Sequence, residues 1–415
     1  MSVVRRSRVE EAVRELAREG YAGPGTKQFP SDPLWAALRR AGTELWLDTG
    51  DLEAARPLWT REFSALTTNN TLANQVVQTG LFDGVIRKAG LSLREIAPEA
   101  KEEVLVLEAG FVVNCRLALR LVESLGAKVS VELHPAVAHD LEATVRFARR
   151  YHAVCPEHFL IKVPLTPAGY CAVVRLQQEG IPINFTLGFS ARQNYLAARF
   201  SRPSYVNIFL GRLNSVVADN GLGDGKFVGE KATLASQRAV REARQAHPEI
   251  ATRQIAASIR GGQQVADLAG VEVHTIPPKA AAEFQALRLS PDAIASQLDR
   301  DFEIKLKDDA DPAECGLDVL WEVDDSFRRF VDEVSRSRDK MTGEELIRAS
   351  EDHRLGLFHR FTPEETAAIS DKGKIPELAR WQGEIALDDL MTRSALESFA
   401  TDQRELDARI SSLLR

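Results

Sequence analysis

The chain has 415 residues, 44% hydrophobic and 27% charged, the balance of an ordinary soluble globular protein. A formal net charge of −7 argues against nucleic acid or an anionic membrane as the main partner. No run approaches the roughly 18 apolar residues of a membrane span, and Met1-Ser-Val-Val-Arg-Arg-Ser-Arg-Val-Glu-Glu11 has no apolar signal core, so the expected location is cytoplasmic.

In chain order, residues 1–43 predict an N-terminal helical extension broken by a Gly/Pro-rich stretch at 20–33. Eight apolar, strand-like runs follow, at 44–49, 64–69, 128–134, 158–165, 182–189, 205–211, 253–260 and 272–277. Amphipathic segments of helical length separate them, among them 136–152, 167–179 and 230–245. Strands alternating with helices imply right-handed crossovers and a parallel sheet. Eight such units within 44–290 match a (β/α)8 TIM barrel. An open doubly wound sheet is disfavoured because no Gly-x-Gly-x-x-Gly follows the first strand.

From residue 291 to 415 the pattern is helical, and this region is expected to pack on the barrel. Thr342-Gly-Glu-Glu345 and Thr362-Pro-Glu-Glu365 read as helix starts, a hydroxyl N-cap with Glu three residues on. The loop Asn220-Gly-Leu-Gly-Asp-Gly225 lacks the Gly-Lys-Ser/Thr ending of a phosphate loop and reads as a flexible connection. Cys115, Cys155, Cys171 and Cys315 are scattered without a C-x-x-C pair, which predicts buried free thiols.

Side chains alternate along a strand, and in a barrel one face points to the axis. In His158-Phe-Leu-Ile-Lys-Val-Pro-Leu-Thr166, Phe159, Ile161 and Val163 share one face and Lys162 takes the other. A lone lysine there would ordinarily snorkel to water. Its neighbours change that reading. Asn184 and Thr186 oppose Ile183, Phe185 and Leu187, and Asn207 and Phe209 oppose Val206, Ile208 and Leu210. Ser258 and Arg260 oppose Ile255, Ala257 and Ile259, while Asp48 and Glu132 stand apart from the outer apolar set. These polar groups gather toward strand C-termini, where a barrel keeps its active site; a filler layer would be Val, Ile and Leu.

A lysine enclosed with carboxylates, hydroxyls and amides can attack a carbonyl and form a Schiff base. It must do so as the free amine, which burial favours. Asp48 and Glu132 oppose that loss of charge, so both are expected at general acid/base distance from Lys162 and not in direct contact. Arg260 and Arg212 suggest a phosphate clamp. Together the residues imply an imine-forming aldolase or transaldolase acting on a sugar phosphate, with no cofactor and no metal.

The ordered motifs resemble the transaldolase family. Leu47-Asp-Thr-Gly-Asp51, Leu66-Thr-Thr-Asn69, Val131-Glu132, Leu160-Ile-Lys-Val-Pro164, Asn184-Phe-Thr-Leu187, Phe209-Leu-Gly-Arg212 and Ala256-Ala-Ser-Ile-Arg260 carry the resemblance, with Phe399-Ala-Thr-Asp-Gln-Arg-Glu-Leu406 at the last helix. It implies an (α/β)8 barrel with a Schiff-base lysine on the fourth strand, here Lys162. It implies transfer of a dihydroxyacetone unit from sedoheptulose 7-phosphate or fructose 6-phosphate to an aldose phosphate, as in the non-oxidative pentose phosphate pathway. By the same resemblance Asp48 exchanges the C4 hydroxyl proton, and Glu132 and Thr186 hold a proton-shuttling water. Asn69 and Asn184 bind donor hydroxyls, and Arg212, Ser258 and Arg260 grip the phosphate. Residues 300–380 have no recognised counterpart and form a helical insertion suited to capping the barrel or to a dimer interface, in a monomer or homodimer.

Two departures bear on the substrate. The family's Asn-Pro-Ser is here Asn69-Asn70-Thr71, and Asn207 stands where the family keeps the serine that contacts the donor's terminal hydroxyl. A specialised enzyme of secondary metabolism with another donor or acceptor is therefore one alternative. A fructose 6-phosphate aldolase is another, although Phe209, where that type tends to carry tyrosine, favours transfer. A metal-dependent aldolase would have to use Glu132, His134, His139 and Asp140, but Pro135 and the spacing argue for loop and helix-start residues. A barrel degraded to a binding module is countered by Lys162, Asp48 and Glu132 occurring together.

Overall fold

Each of the eight runs forms one strand: β1 (Glu44–Asp48), β2 (Phe63–Thr67), β3 (Lys128–Glu132), β4 (Phe159–Pro164), β5 (Ile183–Thr186), β6 (Tyr205–Phe209), β7 (Arg253–Ala257) and β8 (Val273–Ile276). All pair in parallel in sequence order, and β8 pairs back to β1, closing an α/β TIM barrel. The structure is a computed structural model describing residues 3–307, 311–313 and 315–414. Residues 1–2, 308–310, 314 and 415, which fall in the expected terminal helices and insertion, lie outside the described residues.

Leu45, Leu47, Val129, Val131, Ile161, Val163, Phe185, Val206 and Ile208 are buried on the outer face, beneath the surrounding helices. The floor of the barrel is closed at the strand N-termini. Glu44 there accepts from Trp46 Nε1 (2.8 Å) and Ser64 Oγ (2.6 Å) and pairs with Arg253. Trp46 meets the Tyr205 ring edge-on, with centroids 4.8 Å apart. Open space is thereby left at the C-terminal ends.

Strand β7 departs from the expected alternation. Its inward residues are Ile255 and Ala257, which line the interior cavity, whereas Gln254 points out to Ser236 and Asn194 on the helical layer. The strand ends at Ala257, and Ser258 takes a left-handed φ of 61°. That turn resets the side-chain direction, so Ser258 and Arg260 reach the cavity from a loop.

Flanking the barrel are the helices Val3–Arg18 and Pro33–Arg40 before β1, and a set of helices after β8. Thr342 and Thr362 cap Gly343–Asp352 and Pro363–Lys372 with complete capping boxes. The 27-residue helix Leu387–Leu413 runs against Asn70–Gln78 and Glu102–Leu125. Its first turn is fastened by Asp388, which is fully buried and takes a bidentate pair from Arg192 (2.7 Å each) and a bond from Ser190 Oγ (2.7 Å). Asn70 Nδ2 donates to Gln403 Oε1 (2.7 Å), and Thr71 Oγ1 donates to Asp402. Asn70 and Thr71, in the first turn of the helix Asn70–Gln78 after β2, thus tie it to the last helix. Asn220–Gly225 is more than a connection, because Gly223 forms an antiparallel bridge with Leu306. Among the described residues Cys115, Cys155 and Cys171 are buried free thiols, whereas Cys315 is only half-buried. No helix among them is long and apolar enough to cross a membrane.

Candidate active site

A cavity of about 180 Å³ opens at the C-terminal end of the barrel. Nine of the residues singled out from sequence line it: Asp48, Asn69, Lys162, Asn184, Asn207, Phe209, Arg212, Ser258 and Arg260. Glu132 and Thr186 lie outside that lining, buried in the barrel wall.

The parallel register sets Glu132 beside Lys162 and Asn184 on the other side of it, all on the inner face. Lys162 Nζ donates to Glu132 Oε2 (3.1 Å) and to the Thr68 carbonyl (3.1 Å). The expected separation of lysine and carboxylates is therefore incorrect for Glu132. Adjacent parallel strands stand only about 4.8 Å apart, so paired residues on one face touch. Two rings cover the ammonium, with the Phe209 and Phe399 centroids at 6.0 and 5.8 Å. Phe399 comes from the last helix.

Burial pushes the Glu132 carboxyl above the usual carboxylate range, with Lys162 pulling against it and the Asp48 charge adding to the rise. Burial raises Asp48 as well, opposed by Lys162 and by the bond from Thr67 Oγ1 (2.6 Å). Thr67 in turn meets Thr275 Oγ1 at 2.5 Å. Both acids are thus disposed to carry a proton at pH values where exposed carboxylates have lost theirs.

An amide chain starts at the strand of Glu132 and runs along the wall beside Lys162. Asn184 Nδ2 donates to Ser130 Oγ (3.0 Å), and Asn207 Nδ2 donates to Asn184 Oδ1 (3.1 Å). Asn69 caps the helix Asn70–Gln78 through a bond from Leu72 N–H (2.8 Å). The Thr186 hydroxyl, fully buried, has no partner among the described residues.

The cationic side depends on a close loop approach. A Cβ on Gly211 would stand 2.2 Å from the Ser258 carbonyl and 2.6 Å from Arg260 Cγ, so only glycine lets the helix start after β6 abut the loop after β7. Arg212 follows at once, in the first turn of Leu210–Asp219. Burial first and Arg260 second lower it to about 10, and one of its terminal nitrogens has no partner among the described residues. Arg212 and Arg260 have no ion pair among those residues either, which is the arrangement of an anion site.

Thr67, Ser130, Thr275, Lys374 and Phe399 were not predicted as site residues. Thr275 was readable from the alternation of the last run and Thr67 from its motif, but nothing local marks Lys374. The proposed metal set is dispersed: His134 spends one ring nitrogen on Ala136 N–H (3.1 Å) and the other on Asp407 (3.1 Å), and Asp140 caps Leu141–Val154. Among the described residues no cluster of three His, Cys, Asp or Glu side chains could hold a metal ion.

An eight-stranded parallel barrel enclosing an amine and two acids, with two arginines on the cavity wall, places the protein in the class of α/β-barrel proteins with an interior lysine. The family follows from comparison with known proteins: the chain belongs to the transaldolase/fructose-6-phosphate aldolase family, whose model matches residues 45–329. The match ends within the 300–380 stretch. A probable transaldolase of Thermus thermophilus is 34% identical over 238 residues, 56% of this chain and 86% of the relative. A probable transaldolase of Kosmotoga olearia is 33% identical over 213 residues, 51% and 82% of the two chains. A transaldolase of Xanthomonas euvesicatoria is 27% identical over 237 residues, 56% and 71% of the two chains.

Proposed function

We propose that the protein is a transaldolase that moves a dihydroxyacetone unit through a Schiff base on Lys162. The observation that carries this reading is the contact of Lys162, on the wall of a cavity that Asp48 also lines, with the buried Glu132 behind that wall. Passing the ammonium proton to Glu132 converts a buried ion pair into two neutral groups, the direction that burial favours. The free amine then attacks the ketone carbon of sedoheptulose 7-phosphate or fructose 6-phosphate, and water leaves as the imine forms. Glu132 and the unclaimed Thr186 hydroxyl handle the protons of that step. Asp48 takes the C4 hydroxyl proton as the C3–C4 bond breaks. The aldose phosphate departs, and the electron pair stays on the lysine-bound fragment as an enamine. That carbon attacks the aldehyde of an aldose phosphate acceptor, Asp48 returns the proton, and hydrolysis of the new imine frees Lys162. Every proton is carried by a protein group or water, so the cycle uses no cofactor or metal.

In this reading Asn69 and Asn184 bind donor hydroxyls, Phe209 covers the imine, and Arg212, Ser258 and Arg260 hold a phosphate, in a cytoplasmic enzyme of the pentose phosphate pathway. One observation favours an altered donor. Asn207 ties up Asn184 Oδ1, so the amides facing the donor constrain each other. The test is turnover of fructose 6-phosphate with and without erythrose 4-phosphate. Transfer predicts sedoheptulose 7-phosphate only when the acceptor is present, and an alternative donor is found by the same screen. Dihydroxyacetone released at the same rate without acceptor would assign the lyase activity instead.

A further inference from the structure

The cavity wall includes one basic residue from outside the barrel and its first loops, Lys374. Helix Pro363–Lys372 ends at Gly373, whose φ of +90° suits glycine and turns the chain over the barrel mouth. The turn is pinned on two sides. Ser394 Oγ on the last helix donates to the carbonyls of Gly373 (3.1 Å) and Lys374 (3.3 Å). Asn220 donates to the Pro376 carbonyl (3.0 Å) and accepts from Leu378 N–H (2.9 Å). Asn220 ends the same helix, Leu210–Asp219, that carries Arg212 in its first turn. Lys372 is paired with Glu377 (3.6 Å), whereas Lys374 makes no ion pair among the described residues. A strap fixed at both ends therefore holds an uncommitted cation on the wall of a cavity that already contains two others, Arg212 and Arg260.

We propose that Lys374 is a substrate-binding residue that contacts the phosphate of a sugar phosphate, so that the strap makes the site selective for phosphorylated over neutral sugars. This rests on the proposed sugar-phosphate reading of the same cavity. The strap lies beyond residue 329, where the family match ends, so this selectivity belongs to the chain's own addition.

Lys374→Ala and Lys374→Arg test it in the full-length protein. In the alanine variant KM for the phosphorylated donor or acceptor should rise about tenfold, the size of one lost charge-assisted contact. Its kcat, and its KM for the neutral acceptor glyceraldehyde, should stay at the parent's values, and arginine should restore most of the loss. Equal changes for phosphorylated and neutral sugars, or none, overturn the proposal. Inorganic phosphate binding measured by calorimetry reads the cation without turnover. Weaker binding in Lys374→Ala supports the proposal even if no ketose phosphate is turned over, and unchanged binding overturns it even if transaldolase activity is found.

Discussion

At the scale of single residues, the interior of this barrel sets groups that are costly to charge in contact with one another. Lys162 and Glu132 are both buried and in contact, and the raised carboxyl is a ready acceptor for the lysine's proton. Glu132→Gln keeps the shape and removes the acceptor, so kcat should fall by roughly 10²–10⁴, the usual worth of a general acid–base group. The pH profile carries the sign. A carboxyl raised by burial must lose its proton to act as base, so activity should fall as pH drops through that raised value. The glutamine variant should lose the part of the acid limb of kcat/KM that Glu132 sets and keep the part set by Asp48, whose carboxyl is also raised. A variant within threefold of the parent, with its acid limb intact, would remove Glu132 from the proton path. Lys162, Asp48 and Glu132 were readable because strand alternation and local composition decide which way a side chain points. Their spacing was not, because contact between Glu132 and Lys162 follows from the β3–β4 register, which sequence patterning leaves open.

At the scale of elements, strands and caps were legible for a local reason: apolar runs and hydroxyl–Glu pairs act over a few residues. The β7 face was misread because one left-handed residue, Ser258, reverses the alternation that a sequence carries forward unchanged. Fastening of the last helix was also invisible, since Arg192 and Asp388 are 196 residues apart. That bond anchors the helix that also carries Phe399, eleven residues further along, over Lys162. Removing one partner of a buried ion pair leaves the other uncompensated at a cost of about 3–5 kcal/mol. Asp388→Ala should therefore lower the denaturant midpoint accordingly and loosen the cover of the site. A midpoint unchanged from the parent would mean that the helix is held by its packing alone.

At the scale of the whole molecule, the barrel supplies Lys162, Glu132 and Asp48, and the segments after β8 roof the opening. Phe399 comes from the last helix and Lys374 from the strap before it, and both line the cavity. The sequence made the barrel evident through eight repeated units, but the roof depends on contacts between distant segments, such as Asn220 with Leu378 and Ser394 with Lys374. The central claim is that Lys162 becomes covalently attached to a three-carbon fragment. Borohydride added during incubation with fructose 6-phosphate, followed by peptide mass mapping, tests this most directly. The account predicts one reduced dihydroxyacetone adduct, located on Lys162 and absent from Lys162→Ala. No adduct with any ketose phosphate, or one that persists in Lys162→Ala, would contradict it.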